Sequence, residues 1–163
     1  MSVQSIIVIG ASHAGAQCAI SLRQSGFSGN ITLIGDESEL PYHHPPLSKD
    51  FLSGSKKFEE ILLRPASVYD DAKIDLKLKT RVTKIDRALK TVTTCTGETL
   101  SYDRLILATG ARVRKPPIPG ADNPRVLYLR NAADVRRIKS EIPNAKCAVI
   151  IGGGYIGLET AAS

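Results

Sequence analysis

The chain has 163 residues, 42% hydrophobic and 23% charged, which is enough for one proper core or slightly more and rules out a disordered tail. Its formal net charge is +6, but basic residues from Arg23 to Lys146 alternate with acidic ones and aromatic content is 5%, which argues against nucleic-acid binding and leaves an acidic protein partner open. No apolar run is long enough to span a bilayer, and Met1 to Ile9 lacks the basic region of a signal peptide, so a cytoplasmic protein with no membrane segment is expected.

Ser5 to Ile9 is continuously apolar and predicts a buried parallel strand. Ala14 to Ser25 follows as a helix whose early residues are small, with Gly26 as its stop. Ile31 to Ile34 predicts a second buried strand ending at Gly35-Asp36-Glu37, completing a βαβ unit. From Glu39 to Asp50 prolines dominate, and a rigid loop is expected. After a short amphipathic piece at Pro65 to Ala72, the alternating segments Ile74 to Leu78, Arg81 to Ile85 and Thr91 to Thr94 predict a small antiparallel meander, with a turn at Thr96-Gly97-Glu98. Arg104 to Ala108 is the next parallel strand. Three prolines in Lys115 to Gly120 mark a stiff connection, and a boundary is expected there, between 1–115 and 116–163. Asn131 and Asp134 are spaced to cap a helix that Pro143 ends. Cys147 to Ile151 then predicts the first strand of a second nucleotide lobe, and Tyr155 the start of its helix.

The fold expectation is therefore α/β: a Rossmann-like domain with a parallel sheet and an inserted antiparallel meander, followed by the truncated start of a second such domain. Cys18, Cys95 and Cys147 form no CxxC and no metal-ligand spacing, so no metal site is expected, and all three are read as small buried apolar residues.

Two glycine fingerprints carry the chemistry, Gly10-Ala-Ser-His-Ala-Gly15 and Gly152-Gly-Gly-Tyr-Ile-Gly157, each directly after an apolar run. Strand, glycine turn and helix together place free N–H groups where a dinucleotide diphosphate binds. Ser12 departs from the first pattern at its middle position, so a plain strand-to-helix turn is the alternative. Asp36 or Glu37, about 20 residues on, is placed to accept hydrogen bonds from ribose hydroxyls. The second fingerprint keeps Gly152, Gly154 and Gly157. Two dinucleotide sites in one chain point to a flavin and a nicotinamide brought together for hydride transfer.

The segments IVIGASHAG, ITLIGDE, LPYHHPPLSKDFL, LILATGARVRKPPIPGAD, LYLRNAADV and VIIGGGYIGLE together resemble the FAD-dependent pyridine-nucleotide oxidoreductases, in the ferredoxin reductase branch typified by putidaredoxin reductases. The likeness covers essentially the whole chain. Its PPLSK loop separates this branch from disulfide reductases, which carry redox cysteines there. The resemblance implies an N-terminal piece of a longer enzyme that binds FAD and NAD(P)H, with NADH the expected reductant, and that passes single electrons to a 2Fe-2S ferredoxin or similar small carrier. On the same grounds a 163-residue piece is expected to bind FAD weakly and to turn over poorly.

Carried onto this sequence, the resemblance assigns the FAD diphosphate to Gly10, Ser12, Ala14 and Gly15, and the adenosine ribose to Asp36 or Glu37. Val82 would meet the adenine through its backbone, Arg130 would contact FAD, and Ala108, Thr109 and Gly110 would close over the cofactor. Lys49 would lie beside the flavin ring, where a cation stabilises the charge gained on reduction. Gly152, Gly154, Tyr155, Ile156 and Gly157 would take the nicotinamide dinucleotide, with Glu159 toward its reactive ring. Lys49 and Glu159 are thus the catalytic candidates. His43 and His44 stand where an arginine more often precedes the two prolines, which puts a charged contact there in doubt. Competing readings are a rubredoxin or nitrite reductase component, a non-catalytic relative of apoptosis-inducing factor, and a nicotinamide-only dehydrogenase, which the two fingerprints oppose.

Overall fold

β1 is Ser5–Ile9, built on four consecutive β-branched residues of high strand propensity, Ile6 to Ile9, which are buried in a strand paired on both sides. The computed structural model describes residues 3–163; Met1 and Ser2, the start of the segment read above as no signal peptide, lie outside it. β2 (Asn30–Ile34) pairs parallel to β1 in the register Ser5 to Asn30 through Ile9 to Ile34. Between them runs α1 (His13–Gln24), whose Ala16 and Ala19 are buried and let its axis lie close to the sheet. α1 ends where Gly26 turns left-handed at φ +88°.

The four-stranded parallel sheet has the order β3-β2-β1-β7, with β3 at Ile74–Lys77 and β7 at Arg104–Leu107. This order reverses direction beside β1, as it does in doubly wound nucleotide-binding sheets. One face packs Ile6, Val8, Ile31, Leu33 and Ile74 against Ala16, Ala19 and Ile20 of α1 and against Tyr69. The other face packs Ile7, Ile9 and Ile34 against Val92 and Tyr102.

Ile74 to Leu78 is therefore not part of the meander predicted for it. Its strand is the parallel edge of the main sheet, paired Ile31 to Ile74 through Ile34 to Lys77. An edge strand with one wet face alternates polar and apolar residues much as a hairpin strand does, so alternation alone does not assign its partner. The antiparallel sheet consists instead of β4 (Val82–Asp86), β5 (Thr91–Thr94) and β6 (Thr99–Ser101), the last of which the sequence reading took no account of.

The proline-rich stretch contains more local structure than a loop. Pro45–Ser48 forms a 3-10 turn, which prolines tolerate at its first positions, and the four-residue α2 (Asp50–Ser53) follows. α3 spans Ala66–Asp71, α4 Ala132–Glu141 and α5 Tyr155–Ala162. α4 opens with a reciprocal capping box: the Asn131 side chain accepts from the Asp134 N–H at 2.8 Å, and Asp134 accepts from the Asn131 N–H at 3.1 Å.

The chain divides into two compact units. One comprises the described residues through Tyr42 together with Leu62–Gly110; the other comprises His43–Ile61 and Ala111–Ser163. In the second unit Lys139 of α4 donates to the Phe51 carbonyl at 3.2 Å, and Arg136 lies 4.9 Å from the Phe58 ring centroid.

Cys147 to Ile151 is not the strand predicted from its apolar run. No described strand pairs with it, and Val149 and Ile151 are 84% and 71% exposed. An apolar β-branched run has strand propensity, but a strand exists only where a neighbour accepts its hydrogen bonds. The cysteine expectation is likewise corrected: Cys18 is half-buried, while Cys95 and Cys147 are exposed. Cys95 lies in the turn between β5 and β6, and Cys147 on the unpaired stretch.

Candidate functional site

The first unit's candidate site grows from the end of β1. Gly10 turns at φ +114°, which an L side chain rarely adopts, and a Cβ there would collide with the Ala108 carbonyl. Its N–H donates to the Ile34 carbonyl at 2.7 Å, while the Ala108 N–H donates to that of Ile9 at 2.8 Å. A Cβ on Gly15 would strike the Gly10 carbonyl, so the first turn of α1 folds tightly back on the glycine. Ser12 is the N-cap residue but makes no side-chain capping bond, no acidic residue lies in the first turn, and Ala14 is exposed. A helix start of this kind, carrying partial positive charge and no carboxylate in its first turn, fits an anionic diphosphate.

The end of β2 is fixed by the loop that follows β3. Thr80 donates its N–H to the Gly35 carbonyl at 2.8 Å, and Lys79 donates to that of Glu37 at 2.8 Å. Asp36 is exposed, whereas Glu37 is half-buried and accepts a 2.6 Å hydrogen bond on Oε2 from the Tyr42 hydroxyl. Val82 opens β4 opposite Thr94, with the register shifting between Val82 and Lys84. Ala108, Thr109 and Gly110 follow β7, Thr109 exposed and Gly110 left-handed at φ +63°.

The second unit gathers Lys49 and Glu159. Lys49 Nζ lies 3.2 Å from Glu159 Oε1, and the Ser48 hydroxyl donates to Oε2 at 2.9 Å. The Ser163 hydroxyl donates to the Ser48 carbonyl at 2.9 Å, joining α5 to the 3-10 turn a second time. The Ser48 bond is the main reason the Glu159 carboxyl sits below the ordinary carboxylate value; partial desolvation opposes it and Lys49 assists. Ser48 is buried, whereas the Lys49 and Glu159 side chains are 51% and 36% exposed. An ion pair this wet adds little stability, so what it contributes is orientation.

The remaining second-unit candidates are more dispersed. Gly152 turns at φ +119°, and a Cβ on Gly157 would strike the Gly152 carbonyl, which repeats the geometry of the first fingerprint. Gly154 is the N-cap of α5, and Tyr155 and Ile156 are exposed. Arg130 is exposed, its backbone N–H donating to Asp134 at 2.9 Å. His43 donates its N–H to the Ile61 carbonyl at 2.8 Å, and the His44 carbonyl accepts from Leu47 at 2.9 Å.

Sequence reasoning passed over Tyr42 and Ser48. For Tyr42 the signal was present, an amphipathic aromatic five residues after a carboxylate in a proline-stiffened loop. Ser48 meets a partner 111 positions away, which no local pattern reveals.

The family description "Pyridine nucleotide-disulphide oxidoreductase" matches residues 4–163. Rhodocoxin reductase of Rhodococcus erythropolis is 46% identical over 159 residues, covering 98% of this chain and 37% of the relative. The crystal structure of a ferredoxin reductase from Rhodopseudomonas palustris superposes with a TM-score of 0.93 at 41% identity, over 98% of this chain and 39% of that one. The reductase in a covalent putidaredoxin reductase–putidaredoxin complex superposes with a TM-score of 0.86 at 40% identity, over 98% and 39%. The chain thus spans well under half the length of these relatives.

Proposed function

Because this chain belongs to the pyridine nucleotide-disulphide oxidoreductase family, we propose that it forms part of an FAD-dependent NAD(P)H:ferredoxin oxidoreductase that draws on NADH and serves a small 2Fe-2S carrier. The observation that carries the reading is the close-packed glycine turn from Gly10 into the carboxylate-free first turn of α1, at the end of a parallel sheet of order β3-β2-β1-β7, with Asp36 and Glu37 at the end of the adjoining strand. Bound FAD would supply the conversion of a two-electron hydride donor into single electrons.

Each residue then has a task. Gly10 and Gly15 let the backbone approach a diphosphate, and the N–H groups of the first turn of α1, around Ser12 and Ala14, receive it. The carboxylate at the end of β2 holds a ribose. Val82 offers backbone to an adenine, and Ala108, Thr109 and Gly110 line the cofactor where β7 ends. Lys49 provides a cation where negative charge grows, and Glu159, kept ionised by Ser48, holds that cation in place between turnovers. Gly152, Gly154, Tyr155, Ile156 and Gly157 receive the nicotinamide dinucleotide, and Arg130 adds a contact to FAD. Residues 1–115 thus supply most of the FAD contacts, Arg130 adds one from beyond them, and 116–163 link to and open the nicotinamide lobe.

FAD titrated into the protein should quench saturably in flavin fluorescence and be displaced by ADP, which shares the adenosine diphosphate. Lys49→Met should slow anaerobic flavin reduction by NADH about tenfold. An unchanged rate would remove the role of Lys49, and failure of ADP to compete would remove the site at α1. Parallel assays with a 2Fe-2S ferredoxin and a rubredoxin decide the acceptor.

A further inference from the structure

The last turn of α5 meets the 3-10 turn at two points, and both fall on one residue. The Ser48 hydroxyl donates to Glu159 Oε2 at 2.9 Å, and the Ser48 carbonyl accepts from the Ser163 hydroxyl at 2.9 Å. Glu159 and Ser163 stand four residues apart on neighbouring turns of one helical face, which therefore holds Ser48 by side chain and by main chain together. Ser48 is 6% exposed, so its hydroxyl has little room to turn elsewhere. Lys49 is held differently. Its N–H donates to the Pro46 carbonyl at 3.0 Å and its carbonyl accepts from Ser53 at 2.9 Å, which fixes its backbone. Its side chain, by contrast, is half-exposed and reaches Glu159 Oε1 from the solvent side of the pair. All of these contacts lie within the second unit.

We propose that Ser48 is the positioning residue that makes Glu159 a fixed dock for a movable Lys49 ammonium, its hydroxyl holding Oε2 whether or not the cation occupies Oε1. The inference rests on the role given to Lys49 above and deepens it. A half-exposed ion pair is weak, so the ammonium is able to leave it when negative charge grows elsewhere. A glutamate released at that moment would regain its rotamer freedom and would have to be ordered again before the cation returned. The buried hydroxyl prevents this, because a hydrogen bond to an ionised acceptor is about twice as strong as a neutral one and does not need the cation. The low titration of Glu159 agrees with this arrangement. The Ser48 bond is its largest cause, and among the described residues Lys49 is the charged group that acts on it.

Two cycles of the same variants test the proposal, one read without cofactor and one with it. In carboxyl titrations by NMR, Ser48→Ala should raise the Glu159 pKa both in the unsubstituted protein and in a Lys49→Met background, because the hydroxyl acts without the cation. In anaerobic flavin reduction by NADH, Ser48→Ala should slow the rate about two- to threefold, less than Lys49→Met, and should add nothing in the Lys49→Met background, because it acts only through Lys49. A general disturbance of the fold would slow both backgrounds alike. Ser48→Cys, nearly the same shape but a weak donor, should give the same pattern and replaces Ser48→Ala if that variant does not fold. Loss of the titration effect once Lys49 is replaced, or a rate loss that persists in the Lys49→Met background, would overturn the inference and leave the role of Lys49 intact. A rate unchanged by Lys49→Met, or a protein that NADH does not reduce, would overturn the role of Lys49, and the titrations would still decide whether Ser48 holds Glu159.

Discussion

The two glycine turns share their local geometry and differ in nearly everything around it. Gly10 and Gly152 have φ of +114° and +119°, and in each case the last glycine of the motif sits where a Cβ would strike the first glycine's carbonyl. Yet Gly10 ends a strand paired on both sides, while Gly152 follows a stretch with no described strand beside it and has open space around its missing Cβ. The turn is therefore a property of a few neighbouring residues, whereas the strand before it is a property of the sheet. A fingerprint in sequence specifies the first and only invites the second.

Alanine substitution at the two leading glycines would test this contrast most strongly. Gly10→Ala combines a left-handed φ with a collision against the Ala108 backbone and should cost about 3 kcal/mol or more in urea unfolding, while Gly152→Ala meets only the dihedral penalty, about 1 kcal/mol. Equal losses would break the comparison.

The first region also depends on a staple at the opposite end of its sheet. Arg23 donates to the carbonyls of Ala72, Phe27, Gly29 and Lys73, at 2.5–2.9 Å, tying α1 to the turns before β2 and β3. Arg23→Ala should cost about 2 kcal/mol, read as a lower urea midpoint at unchanged slope. Arg23→Lys should recover little, because one ammonium does not span four carbonyls.

A smaller change of opposite sign is expected at Tyr69. Its hydroxyl is buried in the core of the first unit with no hydrogen-bond partner among the described residues, and burial raises its pKa. Tyr69→Phe should stabilise the protein by about 0.5–1 kcal/mol; a loss would mean that the hydroxyl is satisfied in solution.

The smallest effects concern one carboxylate from each region. Asp103 accepts from the N–H groups of Gln4 and Ser5, and these bonds hold its pKa below the ordinary value, as the Ser48 bond does for Glu159. Since the folded state favours the charged form in both, the stability each contributes is present above the unfolded value, about 4, and fades as pH falls through the depressed folded value. Carboxyl titration by NMR should show both groups low. Ser48→Ala should raise Glu159 and leave Asp103 where it was.

Much of this architecture is legible in the residues themselves where the governing interactions are local. The capping box at Asn131 and Asp134 is a three-residue spacing, the burial of Ile6 to Ile9 is a run of β-branched side chains, and Gly26 stops α1 one turn past its last apolar residue. What escaped is long-range. Ile74 to Lys77 alternates as either sheet type would, and only pairing with β2 assigns it. Cys147 to Ile151 has the composition of a strand without a partner. For the site, resemblance named Lys49 and Glu159 and the structure brings them within 3.2 Å, but the groups that orient the acids, Ser48 and Tyr42, are uncharged and carry no motif of their own.

The segment His43–Ile61 lies in sequence inside the first unit and belongs in space to the second, so the chain passes from one unit to the other three times. A cut at Gly110 would therefore not release a clean lobe. It would leave the first unit carrying an arm whose buried Leu47, Phe51 and Leu52 had lost α4 as cover, a sticky product prone to self-association. Anyone dissecting this protein into separately folding parts would do better to replace that arm with a short polar linker than to trim the chain at a single point.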